Sequence, residues 1–355
     1  MKIVHVVPNL DDVANAGTDP VSALVTATAE LGHAVTVVSS AGSQAATLEN
    51  AQGVGTADAA GAALKLAWHF ARLRPDVVHT HGGALPVGFA AARMFSPLRG
   101  PRMVHTLDER ALTAVSQAPR ALRAAVWARA EHVAVSDAVA SAAETVLGFR
   151  PRQVIPNPIP VAAYRWPDEV RASERAALGL RRNQVAFLTV VGPGGATSQG
   201  LILDAFARPG MGPARLIIAG AGALRGEFEA QARALDVLGR VDFIEAGRAL
   251  PRVLGAVDAL VHASTSGPSL VPEAMAAGLP VIAAHPAAWV SDASGLSFAP
   301  DDPAALSAAM KRLAQDRTLA RRLGGEGARI AAERFDTAVV ARAYAAVYAE
   351  TCGKR

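Results

Sequence analysis

Short runs of apolar and β-branched residues alternate along this chain with Ala-rich stretches of helical period, and the alternation occurs twice. In the first half the runs are Ile3 to Val7, Ala34 to Ser39, Val77 to Thr80, Met103 to Thr106, Val133 to Val135 and Gln153 to Ile155. In the second half they are Ala186 to Val191, Arg215 to Ala219, Val241 to Ile244, Ala259 to Ala263, Pro280 to Ala283 and Leu296 to Phe298. Runs that are apolar at successive positions suit strands buried on both faces, which is the condition of a parallel sheet covered by helices. The pattern therefore predicts an α/β chain with two doubly wound parallel sheets. A polar stretch from Asn157 to Asn183, with Pro158, Pro160 and Pro167, joins the halves and reads as a hinge, helical only from Ser173 to Leu178. From Asp302 to Ala349 the period is helical, with a break expected at Gly324-Gly325 and no further strand. The division that follows is 1–165, 166–335, and a C-terminal helix over 336–355 expected to cross back to the first domain.

Composition narrows the class. A length of 355 residues suits two domains, and 51% hydrophobic with 5% aromatic content suits cores of Ala, Val and Leu. No apolar run reaches the roughly 20 residues that span a bilayer. The chain opens directly on the strand Ile3 to Val7 without a signal-peptide pattern, so a cytoplasmic location is expected. Cys352, the single cysteine, excludes an internal disulfide and most thiolate metal sites. A net charge of +4 and a pI near 9.6 point to an anionic partner: nucleic acid, a membrane surface or a phosphorylated ligand. No long basic run is interleaved with aromatics, which argues against nucleic acid. The stretches Arg120 to Arg129, containing Trp127, and Trp68 to Arg74 read as amphipathic surface helices, with peripheral contact to anionic lipid as the alternative.

Ligands of doubly wound sheets bind beyond the carboxyl ends of the strands, so the loops there carry the candidate chemistry. After the first strand, the loop with Asn15, Gly17 and Thr18 leads to a helix capped by Thr18 or Asp19 with Pro20 in its first turn. After the seventh, Gly192, Gly194 and Gly195 let backbone amides converge, and Thr197 or Ser198 caps a helix from Leu201 to Phe206. That combination forms either a phosphate cradle or a flexible turn, and its spacing is not that of a dinucleotide fingerprint. A second glycine turn, Gly220-Ala221-Gly222, precedes Arg225. Asp108, after the fourth strand, is a helix cap or a carboxylate that orients an acceptor hydroxyl and takes its proton. No cysteine or carboxylate near His79 and His81 completes a metal set, so no metal site is expected; His81 is placed in the cleft. The most informative stretch is Ser264 to Ala283. It sets Glu273 at the opening of a short helix, Ala274 to Ala277, which Gly278 and Pro280 stop before a buried strand.

This stretch resembles the donor-nucleotide signature of family-4 glycosyltransferases with the GT-B fold. Gly32-His33-Ala34-Val35, Val135-Ser136-Asp137-Ala138, Ile155-Pro156-Asn157, Ile217 to Gly222 and Arg334-Phe335 extend the resemblance along the chain. It implies two Rossmann-like domains facing an interdomain cleft, the first on the acceptor side and the second holding a nucleotide donor. The implied activity is transfer of a hexosyl group from a nucleotide-diphosphate sugar, retaining and metal-independent, with no cofactor besides that substrate. Glu273 is then implied to hold the ribose, with Thr265 and Leu270 in the same donor segment. Gly192, Gly194, Gly195, Thr197, Ser198, Gln199, Gly222 and Arg225 fall to the donor diphosphate. Asn15, Gly17, Thr18 and His81 fall to the acceptor side, with Asp108 as the catalytic carboxylate.

The chain departs from the family at Pro193 and Gln199, where an arginine and a lysine are usual, at Thr265 in place of a first glutamate, and at Asp108 in place of a histidine. Each missing cation removes charge-assisted hydrogen bonds of roughly 1.5–3 kcal/mol, so Arg225 or Arg248 is the expected substitute. The clustering of these changes motivates a second reading, a degenerate transferase that binds a ligand or a protein partner without catalysis. A third is a transferase with an unusual donor or nucleophile. The expected partners are a nucleotide sugar and an unidentified acceptor.

Overall fold

The computed structural model describes residues 1–8, 19–39, 51–53, 59–95, 100–116, 130–191, 196–245, 250–264, 270–285 and 289–353. They form two compact units, Met1–Pro160 together with Phe335–Arg355, and Val161–Arg334.

The first unit is a parallel sheet of β1 (Lys2–Val7), β2 (Ala34–Ser39), β3 (Ala51–Gly53), β4 (Val77–His81), β5 (Arg102–Leu107), β6 (Ala130–Ala134) and β7 (Gln153–Val154), in the order β3-β2-β1-β4-β5-β6-β7. Its helices are α1 (Pro20–Glu30), α2 (Ala59–Leu73), α3 (Leu85–Phe95), α4 (Glu109–Ser116) and α5 (Asp137–Leu147). The six expected strands are all present, Ala34–Ser39 with the expected bounds and the other five with ends shifted. The edge strand β3 was not expected, because Ala51-Gln52-Gly53 carries no β-branched signal. Strand alternation sends Val4, Val6 and Val78 to one face, against Leu66 and Phe70 of α2. Ile3, Val77 and Val104 go to the other face, against Val340, Tyr344, Val347 and Tyr348 of the last helix of the chain (Thr337–Gly353). That helix is anchored where Ile159 N–H donates to Phe335 O at 2.7 Å and Thr337 N–H donates to Ile159 O at 3.1 Å.

The second unit contains a second all-parallel sheet of β8 (Ala186–Val190), β9 (Arg215–Ala219), β10 (Val241–Ile244), β11 (Ala259–His262), β12 (Val281–Ala284) and β13 (Gly295–Phe298), in the order β10-β9-β8-β11-β12-β13. Its helices are α6 (Asp168–Ala177), α7 (Ala196–Ala207), α8 (Arg225–Ala234), α9 (Leu250–Ala256), α10 (Val271–Ala276), α11 (Pro303–Gln315) and α12 (Arg317–Arg334), and the closing helix of the first unit is α13. Two expectations are corrected here. No break falls at Gly324-Gly325, because α12 runs through both; Asp316 instead begins it, its Oδ1 accepting from Thr318 and Leu319 N–H. Glycine is kept at 324 by close packing, since a Cβ there would lie 2.0 Å from Gly278 O.

The second correction concerns the hinge. The stretch after Pro160 belongs to the second unit, and although α6 has no buried residue, its arginines fasten it. Arg171 and Arg175 grip the two oxygens of Asp258 at 2.7 and 2.9 Å and donate to Gly255, Ala256 and Val257 carbonyls at the end of α9. Asp258 Oδ2 also accepts from Ala186 N–H at 2.8 Å, tying the clasp to the start of β8. Asp258→Ala removes the carboxylate partner of two guanidinium groups, which keep only carbonyl acceptors, and the side-chain acceptor of the Ala186 amide. A loss of about 3 kcal/mol is expected, read by chemical denaturation, with Asp258→Asn losing less.

Candidate donor and acceptor sites

The donor-side candidates lie past the carboxyl ends of strands in the second unit. Helix α10 begins at Val271, three residues earlier than expected, because Pro272 fits a first turn where no amide partner is needed. Glu273 thus sits inside the first turn, and Gly278, at φ +72°, closes the helix with Leu279 N–H donating to Ala274 O. The carboxyl Oε2 of Glu273 is buried without a hydrogen-bond partner among the described residues, although the residue as a whole keeps some exposure. Burial raises its pKa to about 7, against a smaller lowering from its own backbone N–H. The buried phenol of Tyr164 is pushed well above its ordinary range by burial and by the neighbouring Glu273 carboxylate.

This raised pKa has a consequence for stability. The folded state holds the Glu273 proton more tightly than the unfolded chain, so its contribution is complete below about pH 4.5 and is lost as pH rises through about 7. Glu273→Gln is expected to remove that slope and to exceed the parent in stability at pH 8 by about 2 kcal/mol, allowing for partial exposure. Denaturation curves at pH 5 and pH 8 check it.

Of the other donor candidates, Gly192, Gly194, Gly195 and Thr265, with Arg248, lie outside the described residues, as does the side chain of Thr197. Helix α7 starts at Ala196, five residues before the expected Leu201, so Thr197 and Ser198 are in its first turn rather than at its cap. Ser198 is half-buried. Gln199 is buried and faces the sheet, its Nε2 donating to Thr189 Oγ1 at 3.1 Å and Val190 O at 3.3 Å. Gly222 opens a turn at φ +52°, and Leu270 is the half-buried cap residue of α10. Arg225 begins α8, donates to Glu229 at 2.7 Å and lies over the Phe243 ring at 5.5 Å. Trp289, at φ +71°, lies under the Arg334 guanidinium at 5.7 Å.

On the acceptor side, Asn15, Gly17 and Thr18 lie outside the described residues, and Asp19 is the cap of α1, accepting from Ser22 N–H at 2.8 Å. Asp108 caps α4: its Oδ1 accepts from Ala111 N–H at 2.6 Å. His81 ends β4, buried, 2.9 Å from His5 Nδ1 through its Nε2. His79 reaches Tyr348 OH with Nδ1 and Thr106 Oγ1 with Nε2, each at 2.8 Å, and Thr106 Oγ1 continues to Tyr344 OH at 2.8 Å. Burial lowers the pKa of His5 to about 3 and holds His79 and His81 well below the ordinary range, so these rings are neutral at pH 7. Leu64 and Trp68 stand exposed on α2 and Met94 on α3, with Arg72 stacked at 5.9 Å on Trp68; Arg120 to Arg129 lie outside the described residues.

Comparison with known proteins decides what this scaffold is. The family described as Glycosyltransferase Family 4 matches residues 21–163, and that described as Glycosyl transferases group 1 matches residues 182–316. The chain belongs to the family-4 glycosyltransferases. Among solved structures, Anabaena HepE in complex with UDP superimposes with a TM-score of 0.79 at 18% identity, covering 99% of this chain and 100% of that one. Sucrose-phosphate synthase from Thermosynechococcus elongatus does so with a TM-score of 0.76 at 17% identity, each chain covered fully. A glycosyltransferase from Rickettsia africae gives 0.76 at 14%, covering 100% of this chain and 99% of the other. These likenesses fix the fold as GT-B. No curated protein sequence matches the chain significantly.

Within this glycosyltransferase Tyr164, His5, Tyr344 and Tyr348 carry no motif that marks them in the sequence. Tyr164 lies in the stretch read as a hinge. Nothing in the spacing of His5 and the two tyrosines, 74 and more residues from His79, signals their meeting; it depends on β1 lying beside β4 and on α13 covering that face.

Proposed function

We propose that the chain transfers a sugar from a nucleotide-diphosphate donor to an acceptor hydroxyl, with retention and without a metal ion in the transfer step. The observation that carries this reading is Glu273: a buried carboxyl in the first turn of a strand-end helix, with one oxygen unpaired among the described residues and a pKa near 7. Such a group lacks hydrogen-bond donors, and the two hydroxyls of a ribose supply them. The solved relatives support the ligand class, since HepE is described in complexes with UDP and with UDP-glucose. Glu273 holds the ribose, Ser198 and the loop preceding α7 take the diphosphate, and Arg225 turns from Glu229 to the phosphates as the replacement cation. Asp108 spends Oδ1 on its cap and offers its other oxygen to the acceptor, beside His81.

A second reading is favoured by two observations. Gln199 faces the sheet and Arg225 is engaged by Glu229, which fits a chain that binds a nucleotide or a protein partner without turnover. A thermal-shift screen of nucleoside diphosphates and their sugar conjugates tests binding, because a ligand specific to the folded state raises the melting temperature by mass action. One nucleotide series giving a clear shift supports a working donor pocket; no shift at millimolar ligand contradicts it.

A further inference from the structure

The acceptor-side sheet brings together three histidines that the transfer chemistry does not use as a group. In the parallel pairing of β1 with β4, His5 stands opposite His79, and the two-residue period of a strand returns His81 to the same face. One ring nitrogen from each lies within 4.8 Å of the other two. We propose that His5, His79 and His81 form a binding site for one divalent cation of the zinc type.

The ligand chemistry fits. Three imidazoles and an open position are a zinc-binding set, and neutral rings are the form that ligates. Zn–N bonds of about 2.0–2.1 Å place tetrahedral ligand nitrogens roughly 3.3 Å apart. His5 Nδ1 and His81 Nε2 are 2.9 Å apart, so an ion needs them to separate by only a few tenths of an ångström. Two neutral imidazoles at 2.9 Å share a single proton, and the ion takes its place. Nε2 of His5 is buried and has no partner among the described residues, so it can receive that proton and leave Nδ1 as the ligand atom.

Outer partners are present as well. His79 has a hydroxyl on each nitrogen, Tyr348 at Nδ1 and Thr106 at Nε2, so whichever nitrogen faces the ion, the other keeps an orienting hydrogen bond. Among the described residues no carboxylate or cysteine joins the cluster, which leaves the fourth position to a water molecule on the side of His81, the one residue of the three with any exposure. Through whichever hydroxyl stays on His79, Tyr348 directly or Thr106 with Tyr344 beyond it, the ion binds the sheet to α13.

The test uses the untagged full chain stripped with a chelator. Zinc is titrated by calorimetry, cobalt by visible absorption, and the melting temperature is followed. One equivalent of either ion, a tetrahedral cobalt spectrum and a raised melting temperature are expected. His81→Asn should weaken binding at least about 100-fold; of Tyr348→Phe and Thr106→Val, which both keep all three ligands, the one that removes the hydroxyl still bonded to His79 should weaken it roughly 10–100-fold. If His81→Asn fails to fold, the titrations of the two hydroxyl variants and the spectrum of the parent still decide. Absence of a bound equivalent in the parent, or parental affinity in His81→Asn or in both hydroxyl variants, overturns the proposal and leaves the cluster as a hydrogen-bonded core.

Discussion

Glu273→Ala is expected to weaken the binding of a nucleotide-sugar donor by a factor of order 10² to 10⁴. The carboxylate accepts two hydroxyl hydrogen bonds from the ribose, each charge-assisted and worth roughly 1.5–3 kcal/mol, so their joint loss is about 3–6 kcal/mol. Stability moves the other way. Removing a buried acid whose pKa has been raised to about 7 relieves the folded state at pH 8, so the variant should bind poorly while melting no lower than the parent. This opposition separates loss of a ligand contact from loss of structure. The pH dependence has a definite sign, because the hydroxyls bind the ionised carboxyl: donor affinity in the parent rises as pH passes upward through about 7, and Glu273→Gln abolishes that rise. Titration calorimetry with an intact nucleotide sugar, which has no phosphate titrating in this range, reads both effects.

The second large effect is expected at Gly324. An alanine Cβ there meets Gly278 O at 2.0 Å, Gly278 C at 2.9 Å and Pro280 Cδ at 3.3 Å. The obstacle is backbone, which cannot rotate away, so α12 must lift from the turn that ends α10. Overpacking of this kind costs about 3 kcal/mol or more, against roughly 1 kcal/mol gained in helix propensity. For a unit of this size the melting temperature should fall by roughly 4–8 °C. Gly325 is the internal control: nothing lies within 4 Å of a Cβ there, so Gly325→Ala should leave the protein as stable as the parent or slightly more so. Because α12 seats the helix that holds Glu273, Gly324→Ala is also expected to reduce donor binding, whereas Gly325→Ala is not.

The contrast between these two glycines shows where sequence reasoning runs out. Propensity treats Gly324-Gly325 as a helix break, and only the approach of Gly278 explains why the helix tolerates a glycine at 324. The strands were legible because β-branched runs bounded by turn residues have few other uses, and the edge strand at Ala51–Gly53 escaped because it lacks them. Glu273 was legible as a site because its flanking Gly278 and Pro280 fix the helix end locally. The Asp258 clasp was not, since it joins α6 to residues more than 80 positions away and a proline-marked polar stretch looks the same whether bound or free. The early start of α7 had a similar cause: the glycine turn before it suggested that Gln199 belonged to a loop, whereas its side chain faces β8.

The central claim is that the chain turns over a nucleotide sugar, and the most direct measurement is release of the nucleoside diphosphate from each member of a donor panel by the purified chain. We expect one donor to be consumed selectively by the parent, faster with an acceptor present, and at least about 100-fold more slowly by Glu273→Ala. Consumption of no donor by the parent, or equal rates in parent and variant, would contradict the account.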